Sequence, residues 1–331
     1  MTHGGTCRER ADVLKEFGYT ITVLDTAPFL ELTLRLVRAF EHRLLWGPNV
    51  VALNMALIKH ARELKKNDVI WFDKARWLFP EILNKIKQET GAICIHYTPD
   101  PAFTLHTSRH FFKTIPLFDL CITTKKYELG EYRNHGAKDV LFTLQGIDDR
   151  FIRLAQPPSS LRQSGSIFIG HCEKHYINLV KAAAMVDVDL QIYGQGWTKA
   201  AKNNPILSNH VKAEGAWGLD YVRALGSGKI GLGLLCKYYP DQFTTRTFEV
   251  PAAGALLLAE RTEAHKELFA EGVEAEYFSS MGEMKEKIKF YLENESAWLK
   301  IAEAGQAKCL NEYHWKKVLL PAVKRIKSLI S

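Results

Sequence analysis

The sequence lacks the features that mark three classes of protein. No uninterrupted apolar run approaches the roughly 20 residues that a membrane-spanning helix needs. Residues 1–18 contain no apolar core of the kind found in secretory signals. The six cysteines are scattered, with no CxxC pair and no histidine at ligand spacing, which argues against a zinc site and against a disulfide framework. Together these absences predict a cytoplasmic protein with reduced cysteines.

A strong charge of either sign is also missing. The net charge is +7 over 331 residues, of which residues 1–162 carry +5 and residues 163–331 carry +2. No basic run exceeds a few residues, so the chain lacks the footprint of a nucleic-acid-binding protein. The mild excess suits a small phosphate-bearing ligand, and it equally suits a weak peripheral contact with the anionic inner face of a membrane.

What the chain does contain is a regular alternation of short apolar runs and amphipathic stretches. Such alternation predicts an α/β protein with parallel sheets that are covered by helices on both faces. At 331 residues the chain is about twice the usual size of one domain, so two domains are expected. The predicted strands are Ile21–Leu24, Val69–Phe72, Ala92–His96, Leu120–Thr123, Val140–Leu144, Ile167–Ile169, Leu190–Tyr193, Ile230–Leu235 and Ala255–Ala259.

A linker divides these strands into two groups. Residues 155–160 read AQPPSS, and adjacent prolines followed by small polar residues interrupt both helical and strand periodicity. We therefore expect one domain over residues 1–160 and a second over residues 161–313. Three helices follow the last strand, and the final one, residues 314–331, should kink at Pro321.

Glycines at three strand–helix junctions are candidate phosphate contacts. Gly5 precedes a predicted helix over residues 8–17, although the strand that should come before it is missing or very short. Gly170 follows a predicted strand and is followed by Lys174 at a helix start, where a cation makes sense if an anion lies nearby. Gly194 lies in a second strand–glycine turn. Each glycine has a plain alternative as tail or turn, and Lys174 as a solvated surface residue.

His96 lies at the predicted end of an apolar strand, and Asp100 lies in the loop that follows. Open α/β sheets bind ligands at the carboxyl ends of their strands, and a histidine there can exchange protons near neutral pH. The alternative is a partly buried histidine beside an ordinary Asp–Pro turn. Farther along, Trp217 stands between small residues where it could line a flat pocket for a base, or serve only in packing.

The stretch TTRTFEVPAAGALLLAE over residues 244–260 has the densest pattern. A helix starting near Arg246 would be capped by Thr244 or Thr245 and would leave backbone N–H groups free for a diphosphate. Arg246 offers a bidentate fork to phosphate oxygens, and Glu249 can accept hydrogen bonds from a ribose diol. Thr247 falls within the same candidate donor-binding segment. The alternative is an Arg246–Glu249 surface ion pair one helical turn apart.

No metal site is expected. Asp148–Asp149 has the form of an acidic pair that could hold Mn²⁺ or Mg²⁺, but no third carboxylate lies nearby in the sequence, and we interpret the pair as a turn.

In this order the motifs resemble those of the GT-B glycosyltransferases, in particular the family 4 type and the spore-maturation CgeB-like group. The resemblance runs through GYTITVLD, the strand ending in His96, DLCITTKKYELGEYRNHGAKDVLFTLQGIDDRF, IFIGHCEK and IYGQGW. Its most specific block is RTFEVPAAGALLLAERTEAHKELFAEGVEAEYF. The similarity extends over most of the chain.

The resemblance implies two Rossmann-like domains that face each other across a cleft, with a terminal helix that returns to the first domain. It implies that the second domain binds a nucleotide-diphosphate sugar (UDP-, GDP- or TDP-linked) and that the first binds an acceptor: a glycan, lipid-linked glycan, protein or small molecule. No metal or other cofactor is implied. Glu249 matches the ribose-binding glutamate, Lys174 the cation near the phosphates, Gly5 the first glycine loop and His96 the histidine near the transferred sugar.

Two positions depart from the family 4 pattern. Asp241 stands where that pattern has a second glutamate, and His171 replaces the basic residue after the second-domain glycine. Donor binding and retention of configuration are still the expectation, whereas the sugar contacts stay open. Two other functions remain possible at this point: a GT-B-fold nucleotide-sugar epimerase, and a non-catalytic binding protein with the same fold.

Overall fold

The fold was analysed in a computed structural model, which describes residues 6–30, 35–159, 161–162, 164–202 and 204–330. The chain divides into two compact units: residues 1–144 together with 318–331, and residues 145–317. The proline-rich stretch that predicted a boundary at residue 160 thus lies within the second unit. The segment before the prolines joins the second unit because it pairs with a distant segment of that unit. The backbone N–H of Ile147 donates to the carbonyl of Tyr313 (2.9 Å), and the N–H of Trp315 donates to the carbonyl of Ile147 (2.9 Å).

The first unit is built on a four-stranded parallel sheet. Its strands lie in the order β1 (Val69–Asp73), β2 (Ile93–Thr98), β3 (Leu120–Thr123) and β4 (Val140–Phe142). Every residue of β2 and β3 is buried, as expected for central strands with both faces covered. The helices of this unit are α1 (Thr6–Glu16), α2 (Ala27–Leu30), α3 (Arg35–Leu44), α4 (Pro48–Ala61), α5 (Pro80–Thr90), α6 (Ala102–Leu105), α7 (Arg109–Thr114) and α8 (Leu129–Asn134).

The second unit contains a six-stranded parallel sheet. Its strands are β5 (Ser164–Ile169), β6 (Gln191–Tyr193), β7 (Val211–Ala213), β8 (Gly228–Gly233), β9 (Leu256–Glu260) and β10 (Glu276–Phe278), in the spatial order β10-β9-β8-β5-β6-β7. The helices that precede, connect or follow them are α9 (Asp149–Leu154), α10 (Lys174–Ala184), α11 (Trp197–Lys202), α12 (Pro205–Ser208), α13 (Gly218–Ser227), α14 (Arg246–Ala252), α15 (Glu263–Leu268), α16 (Met281–Glu293), α17 (Glu295–Glu312) and α18 (Trp315–Val318). This strand order is that of a Rossmann sheet.

The last helix, α19 (Leu320–Ile330), belongs to the first unit. Ala322 and Ile326 pack with Ile95 and Ile122 on one face of the first sheet, which confirms the predicted return of the C-terminal helix. The predicted kink at Pro321 within one final helix is wrong, because two separate helices are present. The chain is interrupted at Leu319, and Pro321 is the second residue of the new helix, where its missing N–H costs no hydrogen bond.

One predicted strand is absent, and two observed strands were not predicted. Residues 19–26 form neither helix nor strand, so the predicted strand Ile21–Leu24 is wrong; Val23 there is 45% exposed. Conversely, β7 and β10 were not predicted. Both are three-residue edge strands, VKA and EYF, whose mixed polarity produces no apolar run. Short edge strands are defined by pairing with a neighbour, which a local pattern does not contain.

Candidate functional site

The second sheet has a topological switch point between β5 and β8. The chain continues from β5 to its neighbour β6 on one side, and from β8 to its neighbour β9 on the other side. The connecting segments therefore diverge at the carboxyl ends of these two strands and leave a crevice. Ligands of open α/β sheets bind in such crevices. The order of the strands alone thus locates the candidate site of this unit at the carboxyl ends of β5 and β8.

Arg246 bridges the two strands at this switch point. Its Nη1 donates a hydrogen bond to the carbonyl of Ile169, the last residue of β5 (3.3 Å), and its Nη2 donates to the carbonyl of Leu234, just past β8 (2.9 Å). The guanidinium carbon lies 5.5 Å from the ring centroid of Phe168. Backbone carbonyls thus hold a cation at the crevice without neutralising it, and a guanidinium has further N–H donors for an anion.

Glu249 lies one turn farther along α14. The hydroxyl of Tyr221, on α13, donates to Glu249 Oε2 at 2.6 Å. Burial raises the pKa of the Glu249 carboxyl, while hydrogen bonds from Tyr221 and Thr245 and the charge of Arg246 act in the opposite direction. Arg246 and Glu249 therefore have different hydrogen-bonding partners in the described structure, and the simple surface ion pair is wrong.

Gly170 and Gly194 bring two loops close together beside Arg246. The Gly170 carbonyl accepts from Trp197 Nε1 (2.9 Å), and a methyl group at Gly194, where φ is +145°, would overlap that carbonyl. A methyl group at Gly170 would lie 3.1 Å from Arg246 Nη1. Position 194 therefore requires a glycine for this backbone approach, and the glycine at position 170 leaves room for the Arg246 guanidinium.

Lys174 is the exposed first residue of α10. The neighbouring His175 donates through Nε2 to the carbonyl of Leu235 (3.0 Å), so the start of α10 lies beside the end of β8. Glu173 is the N-cap residue, but its side chain makes no capping hydrogen bond. A cation at the positive end of a helix dipole is unfavourable unless an anion lies nearby.

Trp217 precedes α13 and is 68% exposed. A methyl group at Gly215 would overlap its indole ring, so the ring lies directly against that glycine. Tyr221, which holds Glu249, follows one helical turn later. The exposed ring is therefore attached to the helix that positions the carboxylate.

Two expectations about the start of α14 are wrong. Thr247 is buried, and its Oγ1 accepts from the backbone N–H of Thr244 (3.1 Å) and lies 2.9 Å from His265 Nε2, so it is a core residue rather than a donor contact. The predicted threonine cap is also wrong, because Thr245 is the N-cap residue but its side chain makes no capping hydrogen bond. Thr245 contributes through its side-chain hydrogen bond to Glu249.

In the first unit, the structure argues against His96 as a catalytic group. His96 lies within β2, is fully buried, and its Nε2 is 3.0 Å from the hydroxyl of Tyr132. Its ring stacks on Phe118 at a centroid distance of 5.2 Å. Burial, with a smaller contribution from His106, lowers the pKa of His96 to about 3. A neutral histidine in this position belongs to the core and does not reach a substrate.

The other two first-unit candidates have different outcomes. Asp100 follows β2, is partly exposed, and pairs with Lys74 Nζ at 2.7 Å and with His106 Nε2 at 3.9 Å. It is available at the carboxyl edge of the first sheet. Gly5 lies outside the described residues.

Sequence reasoning missed one ion pair at the same edge. Arg10 of α1 donates through Nη2 to both carboxylate oxygens of Asp73, the last residue of β1 (2.9 and 2.7 Å), and lies 4.4 Å above the ring of Tyr97. Arg10 is almost completely buried. The 63-residue separation of the pair leaves no local signal from which it could have been found.

The described residues contain no group of three or more His, Cys, Asp and Glu side chains that could hold a metal ion. Asp148 caps α9 by accepting from the N–H of Arg150 at 2.8 Å, so the acidic pair marks a helix start. Within the same described ranges, no helix is both long and apolar enough to cross a membrane.

Comparison with known proteins gives one family match. Residues 174–321 match the family model described as "Glycosyl transferase-like". The match covers slightly less than half of the chain, and it includes the segments that carry Lys174, Trp217, Arg246 and Glu249. No curated protein sequence is significantly similar to the chain.

Solved structures match over a larger part of the chain. Anabaena HepE in complex with UDP-glucose is 15% identical, with 85% of this chain and 84% of HepE covered and a TM-score of 0.63. Sucrose-phosphate synthase from Thermosynechococcus elongatus is 13% identical, with 98% and 94% covered and a TM-score of 0.70. The pneumococcal O-GlcNAc transferase GtfA, in complex with UDP and GlcNAc, is 14% identical, with 84% and 60% covered and a TM-score of 0.58. These similarities confirm the predicted GT-B fold of the chain.

Proposed function

We propose that the protein is a metal-independent glycosyltransferase that transfers a sugar from a nucleotide-diphosphate donor bound in the second unit. The observation that carries the proposal is the position of Arg246, held by backbone carbonyls from the ends of β5 and β8 at the switch point of a Rossmann sheet. Glu249 one turn later adds an acceptor for ribose hydroxyl groups. A cation and a carboxylate at this spacing suit a nucleoside diphosphate.

The comparisons support the same ligand class. The glycosyl transferase-like match includes Arg246 and Glu249. Two solved structures of similar fold contain such ligands: HepE is in complex with UDP-glucose, and GtfA is in complex with UDP and GlcNAc. UDP is therefore the first nucleotide to test, before GDP and TDP. The narrower relationship to family 4 and to the CgeB-like group is part of this proposal.

In this assignment each residue has one role. Arg246, assisted by Lys174, stabilises the negative charge that develops on the departing diphosphate, which is the main electrostatic demand of the reaction. Glu249 accepts from the ribose, and Trp217 offers a flat face to the base. Gly170 and Gly194 keep the crevice open beside Arg246.

The acceptor is assigned to the first unit, and its chemical class stays open among glycans, lipid-linked glycans, proteins and small molecules. Because His96 is buried and neutral, it is not the base of the reaction. Asp100 is the remaining first-unit candidate that a substrate could contact. A retaining reaction needs no protein nucleophile, and retention is the stereochemistry that we propose.

The test is calorimetric titration of Glu249→Gln with UDP, GDP, TDP and UDP-glucose. Gln keeps the shape of the side chain but removes the charge that strengthens a hydrogen bond from a hydroxyl group, so affinity for the preferred nucleotide should fall by about tenfold or more. Glu263→Gln is the matched control, because Glu263 is a highly exposed carboxylate of the same unit and is expected to leave affinity unchanged.

Equal affinities of Glu249→Gln and the wild-type protein would contradict the ribose assignment. Failure of the wild-type protein to bind any of these nucleotides would contradict the proposed function itself. Donor binding without transfer to any acceptor in a broad panel would favour the non-catalytic alternative, and isomerised donor sugar without an acceptor would favour the epimerase.

A further inference from the structure

Helix α3 of the first unit exposes two large apolar side chains and buries its acidic one. Phe40 and Leu44, spaced four residues apart on one helix face, are 55% and 51% exposed, and Trp46 just after the helix is 56% exposed. Glu41 is 1% exposed. We call Phe40, Leu44 and Trp46 the apolar face of α3. In an ordinary surface helix the apolar residues face inward, so this arrangement needs a cause.

The cause is a hydrogen-bonded anchor at the start of α4. Glu41 Oε1 accepts from the backbone N–H of Asn49 (2.8 Å), and Oε2 accepts from Asn49 Nδ2 (2.9 Å). Asn49 is the second residue of α4, so the carboxylate satisfies a free N–H at the positive end of that helix. A side chain at Gly47 would overlap Glu41. The anchored Glu41 thus fixes the rotation of α3, and in this rotation Phe40 and Leu44 are exposed.

Those charged side chains of α3 and α4 whose exposure is described are cationic where they face solvent. Residues 35–62 contain five basic side chains and a single carboxylate, Glu41, which is buried. Arg43 of α3 and Lys59 of α4 are exposed. An exposed apolar face that is accompanied by the exposed cations Arg43 and Lys59 is complementary to an anionic lipid surface, where apolar insertion and attraction to headgroups add together.

We propose that the apolar face of α3 inserts into the headgroup region of an anionic lipid bilayer and holds the protein at the membrane surface. The area favours this occupant over a second copy of the chain. Three half-exposed large side chains offer roughly 300 Å² of apolar surface, whereas a stable protein interface needs about 800 Å² from each partner. An interfacial helix reaches useful affinity with less area because the lipid charge contributes.

The test is vesicle flotation of the full chain with phosphatidylcholine vesicles, with and without about one-third phosphatidylglycerol. The wild-type protein should float only with the anionic vesicles at about 0.1 M salt and should be released at about 1 M salt, because screening removes the attraction. The triple variant Phe40→Ser, Leu44→Ser, Trp46→Ser should bind at least about tenfold more weakly, and Arg43→Glu should also weaken binding.

The matched control is the double variant Met185→Ser, Val188→Ser, which removes two apolar side chains of the second unit that are 64% and 86% exposed. It should float like the wild-type protein. Circular dichroism and melting curves show whether each variant is folded. If the triple variant does not fold, Arg43→Glu still tests whether binding to the vesicles depends on this face. Wild-type protein that does not float with anionic vesicles, or a folded triple variant that floats equally well, would overturn the proposal. A wild-type dimer that the triple variant converts to a monomer would assign the face to a second copy instead.

Discussion

Single residues of the candidate site take their properties from partners that lie far away in the sequence. Arg246 is positioned by carbonyls at residues 169 and 234, and Glu249 by the hydroxyl of Tyr221. The Tyr221 hydrogen bond stabilises the carboxylate form of Glu249 against the effect of burial. Tyr221 is thus a positioning residue whose hydrogen bond also opposes the rise in the pKa of Glu249.

Replacing Tyr221 with Phe tests this role. Without the hydroxyl donor, the pKa of Glu249 should rise further, so the carboxylate is lost at a higher pH. We expect UDP affinity to fall by roughly three- to tenfold, with a larger loss at pH 6 than at pH 8, measured by calorimetry. Tyr291→Phe is the matched control, since Tyr291 donates to Glu276 at the same distance, 2.6 Å, elsewhere in the unit. A pH-independent loss would mean that Tyr221 acts only through packing.

At the scale of elements, the second unit depends on two loops that approach each other at the crevice. The β5–α10 and β6–α11 loops are joined by the hydrogen bond from Trp197 Nε1 to the Gly170 carbonyl, and by one from the N–H of Cys172 to the carbonyl of Gln195 (2.9 Å). The contact requires a residue without a Cβ at position 194. The glycine therefore defines the geometry of the site as well as a turn.

Gly194→Ala should accordingly destabilise the protein much more than a typical glycine substitution. The methyl group would overlap the Gly170 carbonyl, and the backbone conformation at φ +145° also disfavours alanine. We expect a loss of about 3 kcal/mol or more in unfolding free energy, measured by denaturant titration, together with weaker nucleotide binding. Gly272→Ala is the control: its φ is +74°, but the nearest atom would be 3.9 Å away, so only about 1 kcal/mol should be lost. Similar losses in the two variants would argue against the loop contact.

At the scale of the whole molecule, both units bury histidines in neutral form. Burial lowers the pKa of His96 to about 3 in the first unit, and that of His265 to about 4 in the second. The pKa of His106 is also lowered to about 4, chiefly by burial and against the charge of Asp100. In the unfolded chain these groups have pKa values near 6.5. The unfolded state therefore binds protons that the folded state excludes.

The contribution of these histidines to the free energy of unfolding is therefore fully present above about pH 6.5 and is lost progressively as the pH falls toward their folded-state pKa values. For His96 alone the cost at pH 5 should be about 2 kcal/mol. The melting temperature should drop between pH 7.5 and pH 5, and His96→Gln should show a shallower drop because this position no longer titrates. Nucleotide affinity of His96→Gln at pH 7.5 should equal that of the wild-type protein. An unchanged pH dependence in the variant would contradict a neutral, buried His96.

Much of the architecture could be predicted from local patterns. Apolar runs of three to six residues located eight of the ten strands of the described chain. The prediction of a strand at Ile21–Leu24 was wrong because an apolar run becomes a strand only where a neighbouring strand pairs with it. The site roles predicted for Thr247 and His96 were wrong because a polar residue of a helix or strand can face the core as well as the crevice.

The sequence by itself thus determined the α/β class, the parallel sheets, the glycine junctions and the suggestive spacing of Arg246 and Glu249, because periodicity and turn chemistry are local properties of the chain. Only the tertiary structure decided which of these residues serve a site. In the folded chain, Arg246 lies between two strand ends and Glu249 accepts a hydrogen bond from Tyr221. His96 is enclosed in the core, and the apolar face of α3 is exposed. Those outcomes depend on contacts between distant segments, and the free energies of burial and hydrogen bonding that select them arise only when the chain is folded.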